Sequence, residues 1–323
     1  MNNVPIIEFD STQPPDRALA EIERWVDSDA LAELVAAFGG PAAKSGQPLG
    51  DRLADLAAFS EVWDFRAGAE RNLAATREFA ESHVALILDA AAALGLVHSG
   101  APRFDRYDHV VVLGGLVRAC ILRPRFAAEL IRSGLTASTI TGIGAFRPLG
   151  GDEPQLAAQA GLVDVMNEFD AMDAGMRQAF SLGDMRSERG DDVGDDANLS
   201  WRVREYPAAD GGVTVVAAPT SDPKRRANTP DSYRYFAEEL VHVRPGDRVL
   251  AVTSAIYIPF QHADAVRMLG LPYGAIVDTV GVDTTTAHDP ELRQEFTPAN
   301  YLQEIRSTIL ALRRLHEAVT EPS

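Results

Sequence analysis

The chain reads as an α/β protein built on a mainly parallel, doubly wound sheet flanked by helices, with a helical region ahead of it. Three observations predict this. Two short runs, His109-Val110-Val111-Val112-Leu113 and Val249-Leu250-Ala251-Val252, have the unbroken apolar character of strands buried on both faces. Each stops at small polar residues, Gly114-Gly115 and Thr253-Ser254, which is what such a sheet needs where a ligand approaches its backbone. Each is then followed by a helical pattern, and alternation of strands with helices favours parallel pairing through right-handed crossovers.

From about Asp16 to Val97 the pattern is helical, with Asp16 and Ser28 placed as N-caps and Gly39 as a stop. Its longest piece runs from about Ala69 to Leu94 before Gly95 and carries His83, which reads as a packing residue. The polar stretch His98-Ser99-Gly100-Ala101-Pro102-Arg103 joins this region to the sheet, giving a division into residues 1–105 and 106–323. Strand 109–113 leads into a helix near Leu116–Leu122, and Pro124 is expected to open a second helix ending at Gly134. A strand at Ser138–Thr141, the loop Gly142-Ile143-Gly144 and a helix over about Asp164–Phe180 follow.

Residues 182–199 are rich in Gly and Asp and read as a solvated loop, because their spacing does not follow the twelve-residue calcium rule. Trp201–Tyr206 and Val213–Ala218, joined by Asp210-Gly211-Gly212, read as a hairpin inserted in the α/β order. A helix at Asp231–Leu240, strand 249–252, a helix at about Pro259–Leu269, a strand near Ala275–Asp278 and a final helix at about Pro298–Ala318 complete the chain.

With 323 residues and 46% apolar content, the chain can bury a full core. Its formal charge of -17 repels phosphodiester backbones and anionic lipid surfaces, so neither nucleic acid nor a membrane is an expected partner. One cysteine, Cys120, allows no intrachain disulfide and no thiolate cage. No leader-like or membrane-spanning stretch is seen, and the expected location is cytoplasmic.

Parallel strands bring their carboxyl ends to one edge, where Gly114, Gly115 and Arg118, Thr141, Gly142 and Gly144, and Thr253 and Ser254 should converge. Glycine amides, helix N-termini and an arginine fork suit an anionic group; tight packing by the glycines is the competing reading. In Lys224-Arg225-Arg226-Ala227-Asn228-Thr229-Pro230, helix capping accounts for Asn228, Thr229 and Pro230. It leaves three adjacent cations, Arg226 among them, open to anion binding or to a solvated loop. His262 could transfer protons near neutral pH or be an ordinary helix residue. Glu168 and Asp170 are candidate bases if their helix points inward, and otherwise a solvated acidic face. No nucleophile elbow, phosphate-loop lysine or zinc-binding histidine pair is present, and no metal is expected.

The order of these motifs resembles the YdcF-like and SanA-like family of bacterial Rossmann-type proteins. The resemblance covers roughly residues 106 to 280 and rests on the Gly114-Gly115 strand with its following arginine, the strand into Thr141-Gly142, Glu168 opening a helix, Asn228-Thr229 at a helix start, and Val252-Thr253-Ser254 before a helix ending near Arg267 and Gly270. It implies a ligand cleft at the strand carboxyl ends and an adenosine-containing ligand such as S-adenosylmethionine. The chain departs from the pattern in its hairpin, in its acidic loop, in Tyr257 and Gln261 where the family commonly has histidine and arginine, and in its helical first third.

The expected function is an enzyme of unassigned reaction, a transferase or hydrolase acting on a small anionic or nucleotide-like molecule. Gly114, Gly115, Arg118, Thr141, Gly142, Arg226, Asn228, Thr229, Thr253 and Ser254 would bind it, and His262 and Glu168 would move protons. The alternative is a non-catalytic ligand-binding or interaction module whose helical amino-terminal region contacts a partner or forms a homodimer.

Overall fold

The computed structural model describes residues 16–42, 46–65, 78–193, 198–207 and 212–321. Seven strands form its sheet: β1 (Arg106–Val112), β2 (Thr136–Gly144), β3 (Ser187–Asp191), β4 (Trp201–Tyr206), β5 (Gly212–Ala217), β6 (Arg248–Ser254) and β7 (Ile276–Val282). Their spatial order is β3-β4-β5-β2-β1-β6-β7. The five strands from β5 to β7 are mutually parallel, while β4 and β3 extend the sheet antiparallel beyond β5. The fold is thus α/β, as the alternation predicts.

Why the central strands carry unbroken apolar runs is visible in the core. Val111, Val249 and Val277 face one layer of helices, and Val110, Val112, Leu250 and Val252 face the other. Both sides are covered by helices, so the runs in β1 and β6 need no polar face. The hairpin β4–β5 forms as expected, although residues 208–211 at its turn lie outside the described residues. Two expectations about the strands need correction. The segment read as a solvated loop contains β3, whose five residues are all exposed and which pairs with β4 through its backbone, with Glu188 reaching Arg204 at 2.6 Å. A fully exposed edge strand has no apolar face to announce it, and its charges blunt the edge. Likewise β2 continues to Gly144, so Thr141 and Gly142 lie inside a strand instead of at its end.

The helical region comprises α1 (Asp16–Val26), α2 (Asp29–Ala37), α3 (Leu49–Phe59) and α4 (Glu81–Ala93). Ser28 caps α2, accepting from the Leu31 amide, and Gly95 ends α4 at φ 84°. Of the expected long helix, residues 69–77 lie outside the described residues and residues 78–80 are not helical, so it is shorter than expected and begins at Glu81. His83 stacks on Phe38 with ring centroids 5.3 Å apart, a packing role. Beyond β1 come α5 (Val117–Arg132), α6 (Glu153–Gln159), α7 (Glu168–Phe180), α8 (Thr229–Tyr235), α9 (Ile258–Ala265), α10 (Leu271–Tyr273) and α11 (Pro298–Thr320). Trp25, Leu34 and Leu94 of the helical region share one core with Ile305, Leu312 and the first face of the sheet. The second face is covered by α5, α6 and α7. No helix among the described residues is long and apolar enough to cross a membrane.

Pro124 was expected to start a helix, yet it sits in the middle of α5. Proline has no N–H, so the carbonyl four residues earlier, that of Cys120, loses its helical donor. Gly175 of α7 packs against that carbonyl, and a Cβ placed there would lie 1.8 Å from the Cys120 oxygen. The missing hydrogen bond and the missing side chain face each other, which lets the two helices approach. Gly175→Ala should therefore reverse the usual sign of helix propensity. Propensity alone favours alanine by up to about 1 kcal/mol, whereas forcing the helices apart costs about 1–3 kcal/mol. A lowered denaturant midpoint checks this; an unchanged or raised one would show that α5 and α7 can separate freely.

Candidate functional site

β1 lies between β2 and β6, and the chain leaves it first toward β2 and later crosses to β6. The crevice at such a switch point is where open α/β sheets bind ligands. A cavity of about 480 Å³ is found there, lined by Leu113–Leu116 after β1, by Ile143–Ala145 and Arg147 after β2, by Glu168, by Arg225–Thr229 and Ser232 beyond β5, and by Phe260 and Gln261 beyond β6. Three arginines and one carboxylate line it, and two of the arginines are paired from behind, Arg147 with Glu153 and Arg225 with Asp231.

The end of β1 shapes its floor. A Cβ on Gly114 would come within 2.3 Å of Glu168 Oε1 and 2.4 Å of the Ile143 carbonyl, so only glycine lets β1 run this close to both. The N–H groups of Gly114, Gly115 and Leu116 donate to no acceptor among the described residues. Beneath them lies the buried Arg123 of α5, which donates to the carbonyls of Leu113 (2.8 Å) and Gly114 and to Ser254 Oγ (3.2 Å). Arg123 thus ties the ends of β1 and β6 together.

Arg147 forms the wall at β2. Its fork meets Glu153 of α6 bidentately, Nη1 to Oε2 at 2.7 Å and Nη2 to Oε1 at 2.8 Å, while its Nε reaches Glu168 Oε2 at 3.2 Å. Glu153 also accepts from the amides of Val117 and Gly150, at 2.9 and 3.0 Å. Burial alone would raise its pKa, but Arg147 and these amides overcome that and hold it below the usual carboxylate range. Because Glu153 takes the Val117 amide, the first turn of α5 is partly satisfied from within.

Glu168 opens α7, capped by Asn167, which accepts from the Asp170 amide at 3.0 Å. Its side chain is 13% exposed. Burial raises its pKa to about 7, against the opposing pull of Arg147, Arg123 and Arg226. A raised carboxyl favours folding at low pH, and that contribution is lost as pH climbs from its ordinary 4.5 to about 7. Between those limits Glu168→Gln should gain stability over the parent chain, by roughly 3 kcal/mol at most. Thermal melts of both proteins across that window check the sign. A gap that stays constant with pH would place the carboxyl in an ordinary solvated state.

On the β5 side, Asn228 caps α8 in a reciprocal box with Asp231, and Arg225 holds Asp231 at its back. Burial works to raise the Asp231 carboxyl, and Arg225, Ser221 and the Asn228 amide keep it low. This fixes the Arg225–Thr229 segment along the cavity rim.

Of the residues singled out from sequence, Gly114, Gly115, Gly144, Arg226, Asn228, Thr229 and Glu168 meet in this cavity. Others do not line it. Arg118 turns away and donates to the Glu291 carbonyl at 3.3 Å. Thr141 is buried within β2, and Gly142 leaves room for Met172 and Met176 of α7. Thr253 and Ser254 sit just beneath, donating to Gln261 and accepting from Arg123. His262 is buried with Nδ1 2.9 Å from Thr279 Oγ1 of β7, so the neighbouring Gln261 faces the cavity in its place. Asp170 accepts from the Met166 amide at the start of α7. Sequence reasoning missed Arg123, Arg147 and Glu153. The signal for Arg123 is helical phase: four and eight residues beyond Gly115, Ala119 and Arg123 pack beneath that glycine, whereas position 118 points elsewhere.

Residues 10–95 match the Rv3785 N-terminal domain family, which spans the helical region. The whole chain is similar to uncharacterized protein Rv3785 of Mycobacterium tuberculosis strain H37Rv, to MT3893 of the Oshkosh strain and to Mb3814 of Mycobacterium bovis. Each is 32% identical over 340 residues, covering 95% of this chain and 92% of the relative. No solved structure matches it. Similarity of this extent, running through both the helical region and the sheet, shows that the chain belongs to the Rv3785 family.

Proposed function

We propose that the protein is an enzyme that binds a small anionic molecule in the cavity at the carboxyl edge of the parallel sheet and moves a proton through Glu168. One observation carries this: a carboxyl that titrates near neutrality faces a hollow whose other charged lining residues are arginines. A group with that proton affinity can both give and take a proton at physiological pH. The cavity is within the size range of small-molecule sites.

The resemblance to YdcF-like proteins supports including adenosine-containing ligands, and the order of Gly114-Gly115, Glu168 and Asn228-Thr229 around one hollow is consistent with it. The positive charge of Arg226 beside the open β1 amides favours phosphorylated nucleotides over the sulfonium of S-adenosylmethionine, whose carboxylate is the part that suits this lining. A transferase or hydrolase reaction in the cytoplasm fits the acid–base group and the buried, free Cys120. The test is a thermal-shift screen of nucleotides, sugar phosphates and S-adenosylmethionine, followed by turnover assays of the hits. Stabilisation by an anion, lost in Arg226→Ala, supports the reading. No response from any of them would overturn it.

A second reading has its own observation. A hollow of about 950 Å³ lies among α1, α2 and α3, with Val26, Leu31, Val35 and Leu56 as apolar floor and Glu23, Asp27, Glu33 and Asp55 around it. None of these helices lines the sheet-edge cavity. An interaction module or a homodimer would use this surface, and a dimer in sedimentation that survives loss of the anion site would favour it.

A further inference from the structure

Resting on the reading of the sheet-edge cavity as an anion site, we propose that the group it takes is a tetrahedral oxyanion of the phosphoryl or sulfuryl type, bound together with a proton on Glu168. The donors converge from three directions: the unpaired amides of Gly114, Gly115 and Leu116 at β1, a protonated Glu168 at the head of α7, and Arg226 ahead of α8; every N–H of Arg147 is already given to Glu153, Glu168, Gly115 and Pro148, so it contributes its charge alone. A planar carboxylate offers two oxygens in one plane, whereas a tetrahedral anion presents an oxygen to each side.

Glu168 is the one carboxylate in that ring, and its Oε1 lies so near Gly114 that a Cβ there would approach to 2.3 Å. An anion seated on the β1 amides therefore meets Glu168 directly. Protonation removes the like-charge repulsion and turns the carboxyl from acceptor to donor. The other groups facing it do not compete for this proton. Arg147 and Arg226 stay charged, as does Arg123 on α5; Glu153 behind Arg147 is held low, and burial pushes the Cys120 thiol up. Asp170, on the same helix, is turned to its cap.

Sulfate is the probe, because its charge is constant across the neutral range. Its affinity for the full chain is measured by thermal-shift titration between about pH 5.5 and 8.5. Wild-type affinity should fall by up to about tenfold per pH unit above 7. Glu168→Gln should bind at every pH without that slope, and acetate should bind at least about tenfold more weakly than sulfate. Measurable sulfate binding with no pH slope, or with the same slope in Glu168→Gln, overturns the proton while leaving the anion site standing. Acetate matching sulfate overturns the tetrahedral class. Absence of sulfate binding in both proteins removes site and proposal together. Should Glu168→Gln fail to fold, the ¹³C carboxyl titration of Glu168 replaces it: its midpoint must rise on adding sulfate, and an unmoved midpoint contradicts the proposal.

Discussion

Arg147→Met is expected to cost about 3–5 kcal/mol of stability, the scale on which breaking a buried ion pair from one side acts. Glu153 is 3% exposed and spends both carboxylate oxygens on the Arg147 fork and on the amides of Val117 and Gly150. Methionine fills much of the arginine stem's volume, so the loss isolates the charge from the packing. What remains is a buried carboxylate with two amides and no cation. The loss should be partly recovered in the double variant Arg147→Met/Glu153→Gln, because the glutamine no longer carries the uncompensated charge. Chemical denaturation of the four proteins gives the coupling directly. Additive effects in that cycle would mean that Arg147 is held by its other contacts, to Gly115 and Pro148, and that the pair is incidental.

The second large effect falls on turnover. Glu168→Gln should lower the rate on any substrate found by about 10²–10⁴-fold, the usual contribution of a positioned acid or base, with the fold retained and ligand binding preserved. Glutamine keeps the reach to Arg147 and the shape beside Gly114 but cannot exchange a proton. Full activity in this variant would reduce the cavity to a binding site. A parallel loss of binding and turnover would assign Glu168 to ligand recognition alone.

The sequence made the sheet's centre readable because Val110–Val112 of β1 and Val249–Val252 of β6 are buried on both faces and form unbroken apolar runs. Where a physical device replaced the usual pattern, reading failed. β3 is an edge held by backbone pairing and charge, so its Asp- and Gly-rich sequence looks like a loop. Pro124 looks like a helix start because proline is best tolerated in a first turn; what accompanies it inside α5, the close approach of Gly175 to the Cys120 carbonyl, comes from a residue 51 positions away. The site was half visible for similar reasons. Gly114, Asn228 and Thr229 follow rules of turns and caps that operate within a few residues. The choice of Arg118 over Arg123 depends on helix phase, and that of His262 over Gln261 depends on how α9 rolls against β7. Arg147 carries no local motif: its role exists only because Glu153 and Glu168, 6 and 21 residues onward, fold back to it.

The central claim is that the ends of β1, β2 and β5 make one anion-binding hollow. Amide chemical-shift mapping on the full chain with added sulfate tests it most directly. The amides of Gly114, Gly115, Leu116, Asn228 and Thr229 are predicted to move together along one saturating curve. Shifts confined to surface arginines such as Arg118 and Arg132, with these five amides unmoved, would contradict it.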